Sequence, residues 1–212
     1  MGKLVNYIIS LTNLNGVIHK EIVLDIYNYV NDEKVSGEEI ESYFGEGREL
    51  VTETVYSIDP YFVHERVWDF RDLVQEFVGK QRNFYYVPDE KTLFKYLDYH
   101  YIEKTEAYWR LHDFVGKRFY AGNPSAARDF CEEVFKRLQF GITPEGIMGY
   151  ELSKLGLEAI DNGERQSLRE LLDDFSLDIR KWLNNGYTDR ELKRTFALEG
   201  EKENVISFKI SR

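Results

Sequence analysis

The chain has 212 residues, of which 42 % are hydrophobic, and its 28 basic and 38 acidic side chains give a net charge of −10. This length and apolar content are typical of a globular protein and exclude disorder as the main state. The longest apolar runs are only a few residues, far below the roughly 20 needed to cross a bilayer, so we expect a soluble protein without membrane contact.

A single cysteine, Cys131, excludes an internal disulfide and any site built from several thiolates. Residues 1–20 lack the basic stretch, apolar core and cleavage site of a secretory signal. We therefore expect the protein to reside in a reducing cytoplasm. Cys131 falls within an apolar helical stripe, which favours a buried, inert thiol over an activated nucleophile.

Three helices are predicted before residue 50. Apolar residues at helical spacing indicate helices within 4–14 and 19–30. Ser36 and Glu39 have the spacing of a capping box, in which the hydroxyl accepts from a first-turn amide and the carboxylate reaches back. A third helix is therefore expected to begin just after Ser36.

A β-hairpin is predicted within residues 51–67, which are rich in β-branched and aromatic side chains. Asp59-Pro60 interrupts this stretch and favours a turn, because proline cannot lie inside a paired strand. Three short helices followed by a hairpin are the element order of a winged helix. Residues 1–67 therefore predict a small winged-helix-like domain.

Residues 68–88 are predicted to connect this domain to the rest of the chain. Residues 68–79 have a helical pattern, and 83–87 are expected to be extended because Pro88 disfavours helical backbone at the residue before it. The tail, 204–212, alternates apolar and polar residues, which predicts a half-buried strand or a disordered end.

Residues 89–203 predict an antiparallel helical domain, because apolar stripes alternate with short loops. The predicted breaks lie at Gly122-Asn123-Pro124, Gly141 with Thr143-Pro144, Gly163 and Gly186. The clearest stripe consists of Leu168, Leu171, Leu172, Phe175, Ile179 and Trp182. A last helix is expected after Thr188, which forms a second capping-box spacing with Glu191. The regular spacing of the breaks fits a bundle and a solenoid equally.

The sequence lacks the common signatures of catalysis. There is no phosphate-binding glycine loop and no Gly-x-Ser-x-Gly nucleophile elbow. No two of the four histidines are three or four residues apart, so no pair predicts a metal site. We expect neither a metal nor a cofactor. His112 is interpreted as a core histidine, with a general-base role beside a distant carboxylate as the alternative.

Aromatic residues are concentrated in residues 84–120, which hold 12 of the 32 in the chain. Tyrosine and tryptophan bury large areas at small entropic cost and keep a polar tip, so interfaces favour them. The candidate partner-binding residues are Tyr96, Tyr99, Tyr101, Tyr108 and Trp109. The alternative is that these rings pack in the core or between domains.

The charge distribution disfavours nucleic-acid binding by the N-terminal part. Residues 1–84 have a net charge of −7, whereas DNA binding depends on neutralising phosphates. Residues 180–212 have a net charge of +3. The candidate nucleic-acid residues there are Arg190, Lys193 and Arg194.

Five segments carry a resemblance to known proteins. They are NYIISLTNLNGVIHK at 6–20, DPYFVHE at 59–65, YYVPDEKTLFKY at 85–96, EKTEAY at 103–108 and KWLNNGYTDREL at 181–192. Together they resemble a group of largely uncharacterised cytoplasmic proteins of Gram-positive bacteria, some of which carry a C-terminal SEC-C zinc motif. The resemblance implies an α-rich bacterial cytoplasmic protein. It implies no zinc site here, because residues 205–212 contain no cysteine.

The sequence thus predicts a mainly α protein that acts as a non-enzymatic protein-interaction or regulatory module, with another protein as its partner. One alternative is a nucleic-acid-linked regulator that uses the winged helix or the basic end. A second alternative is an enzyme whose site is assembled around His112 from distant residues.

Overall fold

The fold is mainly α, as predicted, with one small antiparallel sheet. The computed structural model describes residues 2–44, 50–82, 84–154 and 160–197. Helices take 65 % of these residues and strands 8 %. No helix in the described part of the chain is both long and apolar enough to span a membrane.

The chain forms two compact units. Within the described residues, unit 1 consists of 2–101 with 182–186, and unit 2 of 102–181 with 187–197. The units divide after Tyr101, whereas the sequence placed the start of the helical domain at Asp89.

Unit 1 is built from short helices around a four-stranded sheet. Its elements are α1 (Lys3–Asn15), β1 (Val17–His19), α2 (Lys20–Val30), α3 (Gly37–Glu41), β2 (Leu50–Thr52), β3 (Val55–Ile58), β4 (Tyr61–His64), α4 (Glu65–Trp68), α5 (Val74–Lys80) and α6 (Glu90–Leu93). Its core is apolar side chains of α1, α2 and the sheet, including Ile8, Leu11 and Phe62. This burial supplies the main stabilisation of the unit.

The predicted hairpin is confirmed, and the sheet around it is larger than predicted. Strands β3 and β4 pair antiparallel with Asp59-Pro60 at the turn, so that Ile58 lies opposite Tyr61. The sheet order is β1-β4-β3-β2. The sequence missed β1, because three residues between two helices are too few to establish an alternating pattern.

The capping box at the start of α3 is confirmed. Ser36 Oγ accepts from the Glu39 amide at 3.2 Å, and the Ser36 amide donates to Glu39 Oε2 at 2.8 Å. Three helices and a hairpin therefore occur in the predicted order, with β1 between the first two helices. The assignment to the winged-helix class stays a prediction.

Unit 2 consists of helices joined by short non-helical segments in its described residues. Its helices are α7 (Glu106–Phe119), α8 (Pro124–Phe140), α9 (Pro144–Lys154), α10 (Asn162–Asp178) and α11 (Asp189–Ala197). Helix α7 packs against both α8 and α10. Because α10 returns to α7, these helices close on one another as a bundle rather than extending as a solenoid.

Two predicted features of this half are wrong. Gly163 does not end a helix but lies in the first turn of α10, which Asp161 caps by accepting from the Glu164 amide at 2.8 Å. Trp182 does not continue the α10 stripe, because the helix ends at Asp178 and Ile179 is extended. Trp182 instead starts a 3₁₀ turn, Trp182–Asn184, that belongs to unit 1.

Some predictions fall outside the described residues. These are the strand or disordered tail at 204–212 and the linker residue Asn83.

Candidate functional site

Helix α7 presents different side chains to the core of unit 2 and to solvent. Thr105 caps the helix, with its hydroxyl accepting from the Tyr108 amide at 3.3 Å. Tyr108, Leu111 and Val115 follow at helical spacing and are buried. Trp109 lies off this stripe and is 49 % exposed.

The surroundings of Trp109 form the candidate site. Its ring centroid is 5.5 Å from that of His112 and 5.1 Å from that of Tyr108, both in edge-on geometry. The Lys104 ammonium lies 5.7 Å from the Trp109 centroid, within cation–π range. We call the group of Lys104, Trp109 and His112 the Trp109 surface.

His112 is fixed at the edge of this surface. Its Nε2 atom is 3.2 Å from the carbonyl oxygen of Pro124, at the start of α8. A carbonyl oxygen only accepts, so Nε2 carries the proton in this contact. The interpretation of His112 as a core histidine is wrong, because the side chain is half-buried rather than enclosed.

The Trp109 surface combines an accessible ring with a positive charge. A half-exposed indole offers a large apolar area that a partner can bury, with a cation beside it. The carboxylate next along the helix, Asp113, is engaged by Lys117, and the hydrogen bond from Lys117 lowers the pKa of Asp113. In the described residues, the hydrogen bond of His112 is to a backbone carbonyl, and its interaction with the Asp113 carboxylate is electrostatic rather than a hydrogen bond that would orient a general base.

The five predicted partner-binding residues are divided between the two units. Tyr96, Tyr99 and Tyr101 belong to unit 1, and Tyr108 and Trp109 belong to unit 2. Tyr96 and Tyr108 are buried, so neither offers contact area to a partner in this conformation. Burial raises the pKa of Tyr108 to about 12. For these two residues the alternative of core packing is the correct one.

The two remaining tyrosines are half-buried in unit 1. The ring of Tyr101 meets that of Tyr96 edge-on at 5.0 Å, and the ring of Tyr99 stacks on His64 at 5.2 Å. Burial, followed by a hydrogen bond with Glu65, raises the pKa of Tyr99 to about 12. Of the predicted set, Trp109 is therefore the residue with the most accessible ring.

The candidate nucleic-acid residues lie on α11, and one of them is already paired. Arg190 donates to Asp178 at 2.6 Å and to Asp174 at 2.9 Å. The hydrogen bond to Asp178 is the main reason that the pKa of Arg190 is raised. Lys193 and Arg194 are exposed. The basic cluster thus offers a phosphate backbone less positive charge than the sequence suggested.

A polar cluster around Trp182 in unit 1 was not predictable from the sequence. Trp182 is fully buried, and its indole N–H donates to the carbonyl oxygen of Asn13 at 3.1 Å. The Gln81 Nε2 atom lies 3.1–3.2 Å from three backbone carbonyl oxygens, those of Asn15, Val17 and Trp182, so two of them share one of its two hydrogens. These bonds satisfy backbone groups left at the ends of short elements.

Gly16 is required where the backbone passes Trp182. Its φ is +75°, and a Cβ at this position would lie 2.5 Å from the indole. No local pattern could have revealed this contact, because Gly16 and Trp182 lie at opposite ends of the chain.

His64 is the buried titratable group of this cluster. Its ring lies between Trp182, at 4.8 Å, and Tyr99, and its Nδ1 atom accepts from the Arg66 amide at 3.0 Å. Burial, and then the charge of Arg66, lower the pKa of His64 well below its ordinary value of 6.5. The cluster is enclosed, so we assign it to the stability of unit 1 rather than to a binding site.

Possible metal ligands and the single cysteine were the other candidates for a functional site. Among the residues that the structure describes, no three His, Cys, Asp or Glu side chains are grouped to hold a metal. Cys131 is buried, and burial raises the pKa of its thiol to about 12.

Comparison with protein-family models, with curated proteins and with solved structures finds no match.

Proposed function

We propose that the chain is a non-enzymatic protein-interaction module of the bacterial cytoplasm, and that the Trp109 surface contacts its partner. The observation that carries this proposal is the half-exposed indole of Trp109 on α7, with the Lys104 ammonium and the His112 ring each within 6 Å of its centroid. Tryptophan is one of the residue types that most often dominate binding energy when a partner buries them.

The anchoring of the surface supports the same function. Trp109 projects from a helix whose opposite side is buried through Tyr108, Leu111 and Val115, so its backbone is held in place. A contact residue on a fixed helix loses little conformational freedom on binding. The partner we expect carries an apolar recess for the indole and a carboxylate for Lys104.

The test compares which proteins the wild-type chain and two alanine variants retain from a bacterial lysate. In Trp109→Ala, retention of a specific partner should be lost. Tyr150→Ala is the matched control, because Tyr150 is 52 % exposed on α9 of the same unit. A partner retained equally by all three proteins would show that the Trp109 surface does not bind it.

A further inference from the structure

Unit 1 contains a cleft, of about 360 Å³, that no part of the proposed function uses. The cleft lies beside the start of α1, the end of α2 and the segment that leads into α6. Its lining includes Lys3, Tyr7, Val30, Asp32, Val87 and Glu90. It thus combines charged groups with aliphatic walls, as ligand sites commonly do.

Glu90 is held in place at this cleft by a buried hydroxyl. Tyr7 is 1 % exposed, and its hydroxyl donates to Glu90 Oε2 at 2.9 Å. The Tyr7 ring is packed edge-on against Tyr27 and Phe94, at centroid distances of 5.0 and 5.4 Å. Burial raises the pKa of Tyr7 to about 12, so the hydroxyl keeps its proton and remains a donor at neutral pH.

Lys3 of the same chain shows that the Glu90 carboxylate can pair with an ammonium group. The Lys3 ammonium lies 2.7 Å from the same oxygen, Glu90 Oε2. The two side chains are 48 % and 45 % exposed, and solvent screening leaves an ion pair this exposed with little net contribution to stability. Another ammonium group can therefore replace that of Lys3 at small cost.

The rest of the cleft suits a positively charged, partly aliphatic ligand. Asp32 and Asp89 add two further carboxylates to the lining, of which Asp89 also caps α6 by accepting from the Thr92 amide, while Val30 and Val87 supply apolar contact. The charge of residues 1–84, which make up most of unit 1, acts in the same direction, because it sums to −7.

We propose that this cleft binds a small aliphatic amine, a primary ammonium on a methylene stem, with Glu90 as its main contact and Lys3 as a competitor within the chain. A free diamine and a lysine side chain share this chemistry. The proposal is independent of the Trp109 surface, since the residues of the two sites belong to different units.

The experiment titrates the full chain with 1,4-diaminobutane and, separately, with the peptide Gly-Lys-Gly, by calorimetry and by chemical-shift changes at the Glu90 amide. Glu90→Gln should weaken binding about tenfold or more, since it removes a charged hydrogen-bond partner. Tyr7→Phe should weaken it less, because the packed ring remains. Lys3→Met should tighten it about threefold, since the competing ammonium is gone.

The pair Glu76 and Lys80 is the matched control. It is an exposed ion pair at 2.6 Å on α5 of the same unit, and neither residue lines the cleft. Glu76→Gln and Lys80→Met should leave both affinities unchanged. Binding of either probe that depends on Glu90 supports the proposal, and the probe that binds more tightly identifies the source of the amine.

Three results would overturn the proposal. The first is the absence of saturable binding for both probes. The second is equal affinity in the wild type and in a folded Glu90→Gln variant, with circular dichroism as the check on folding. The third is weaker binding in Lys3→Met, which would make Lys3 a ligand-binding residue rather than a competitor.

Discussion

At His64, a titratable ring is enclosed by aromatic neighbours and serves as a hydrogen-bond acceptor. Its Nδ1 atom receives the Arg66 amide, so the ring fits this position only while that nitrogen is unprotonated. A proton on Nδ1 would place two donors face to face and add a charge near Arg66. The folded state therefore prefers the neutral ring.

This preference predicts that unit 1 loses stability in mild acid. The pKa of His64 in the folded state lies well below its ordinary value of 6.5. Below pH 6.5, the unfolded chain therefore binds more protons at His64 than the folded chain does, and acid favours unfolding. The contribution of His64 is fully present above pH 6.5. Between pH 6.5 and pH 5, the free energy of unfolding measured by urea denaturation should fall by up to about 1.4 kcal/mol per pH unit.

His64→Asn provides the control for this prediction, because the amide oxygen can still accept from Arg66 but does not titrate. Subtracting the two pH profiles isolates His64 from His19, whose pKa is also lowered by burial. A difference between wild type and variant that stays constant from pH 7.5 to pH 5 would contradict the assignment.

Residue-level features were predictable where the partners are close in sequence. The capping boxes at Ser36 and Thr188 each join residues three apart, and both are present. The enclosure of His64 was not predictable, because Tyr99 and Trp182 lie far along the chain. The burial of Tyr96 was also not predictable, because a tyrosine in this sequence pattern is compatible with both a buried and an exposed position.

At the scale of elements, ion pairs bind α11 to the rest of unit 2. Arg180 is mostly buried and donates to Glu103 and to Glu191, each at 2.9 Å. Glu191 also accepts from the Thr188 amide at 2.9 Å, which completes the cap of α11. The Glu191 carboxylate thus both caps the start of α11 and pairs with Arg180, which attaches the helix to the rest of unit 2.

Arg180→Met should therefore loosen α11. Two half-buried carboxylates would lose their cation, which we expect to cost about 1–2 kcal/mol of unfolding free energy. Amide exchange in residues 189–194 should become faster. In the control, Arg169→Met, the ion pair with Glu145 is exposed and its loss should change stability by less than about 0.5 kcal/mol. Equal effects of the two variants would contradict this role for Arg180.

Helices and strands were predicted well where their apolar pattern is long. They were predicted badly where the pattern is short, or where it extends by chance past the end of the helix. Helices α7 and α8 have clear stripes and sharp ends, and both are present. Trp182 follows Phe175 and Ile179 at helical spacing, which placed it wrongly on α10. The spacing persists past Asp178, but the backbone does not remain helical.

At the scale of the whole molecule, the chain contributes to unit 1 twice. It leaves unit 2 after Lys181, supplies residues 182–186 to unit 1 and re-enters unit 2 at Tyr187. Within unit 1, Asn185 donates to the Arg82 carbonyl oxygen at 2.6 Å and accepts from the Tyr86 amide through its own carbonyl oxygen at 2.9 Å. The core of unit 1 therefore depends on a segment remote in sequence.

Trp182→Ala should destabilise unit 1 by about 3–5 kcal/mol, because it empties a fully buried site and orphans the Asn13 carbonyl oxygen. Amide exchange should rise more in β4, residues 61–64, than in α8, residues 124–140. Trp68→Ala is the control, since Trp68 is half-buried and stacks on one ring, that of Tyr56 at 4.3 Å. Loss of protection mainly in α8 would contradict the assignment of Trp182 to unit 1.

The most direct test of the proposed function is the affinity of a retained partner for the purified wild-type chain and for its alanine variants. Trp109→Ala should weaken binding by at least about tenfold, the loss expected when a half-exposed indole is an interface anchor. Tyr150→Ala should change it less than about twofold, since single residues outside the contact are near neutral. Equal affinity of the wild type and Trp109→Ala would contradict the claim that the Trp109 surface is the binding site.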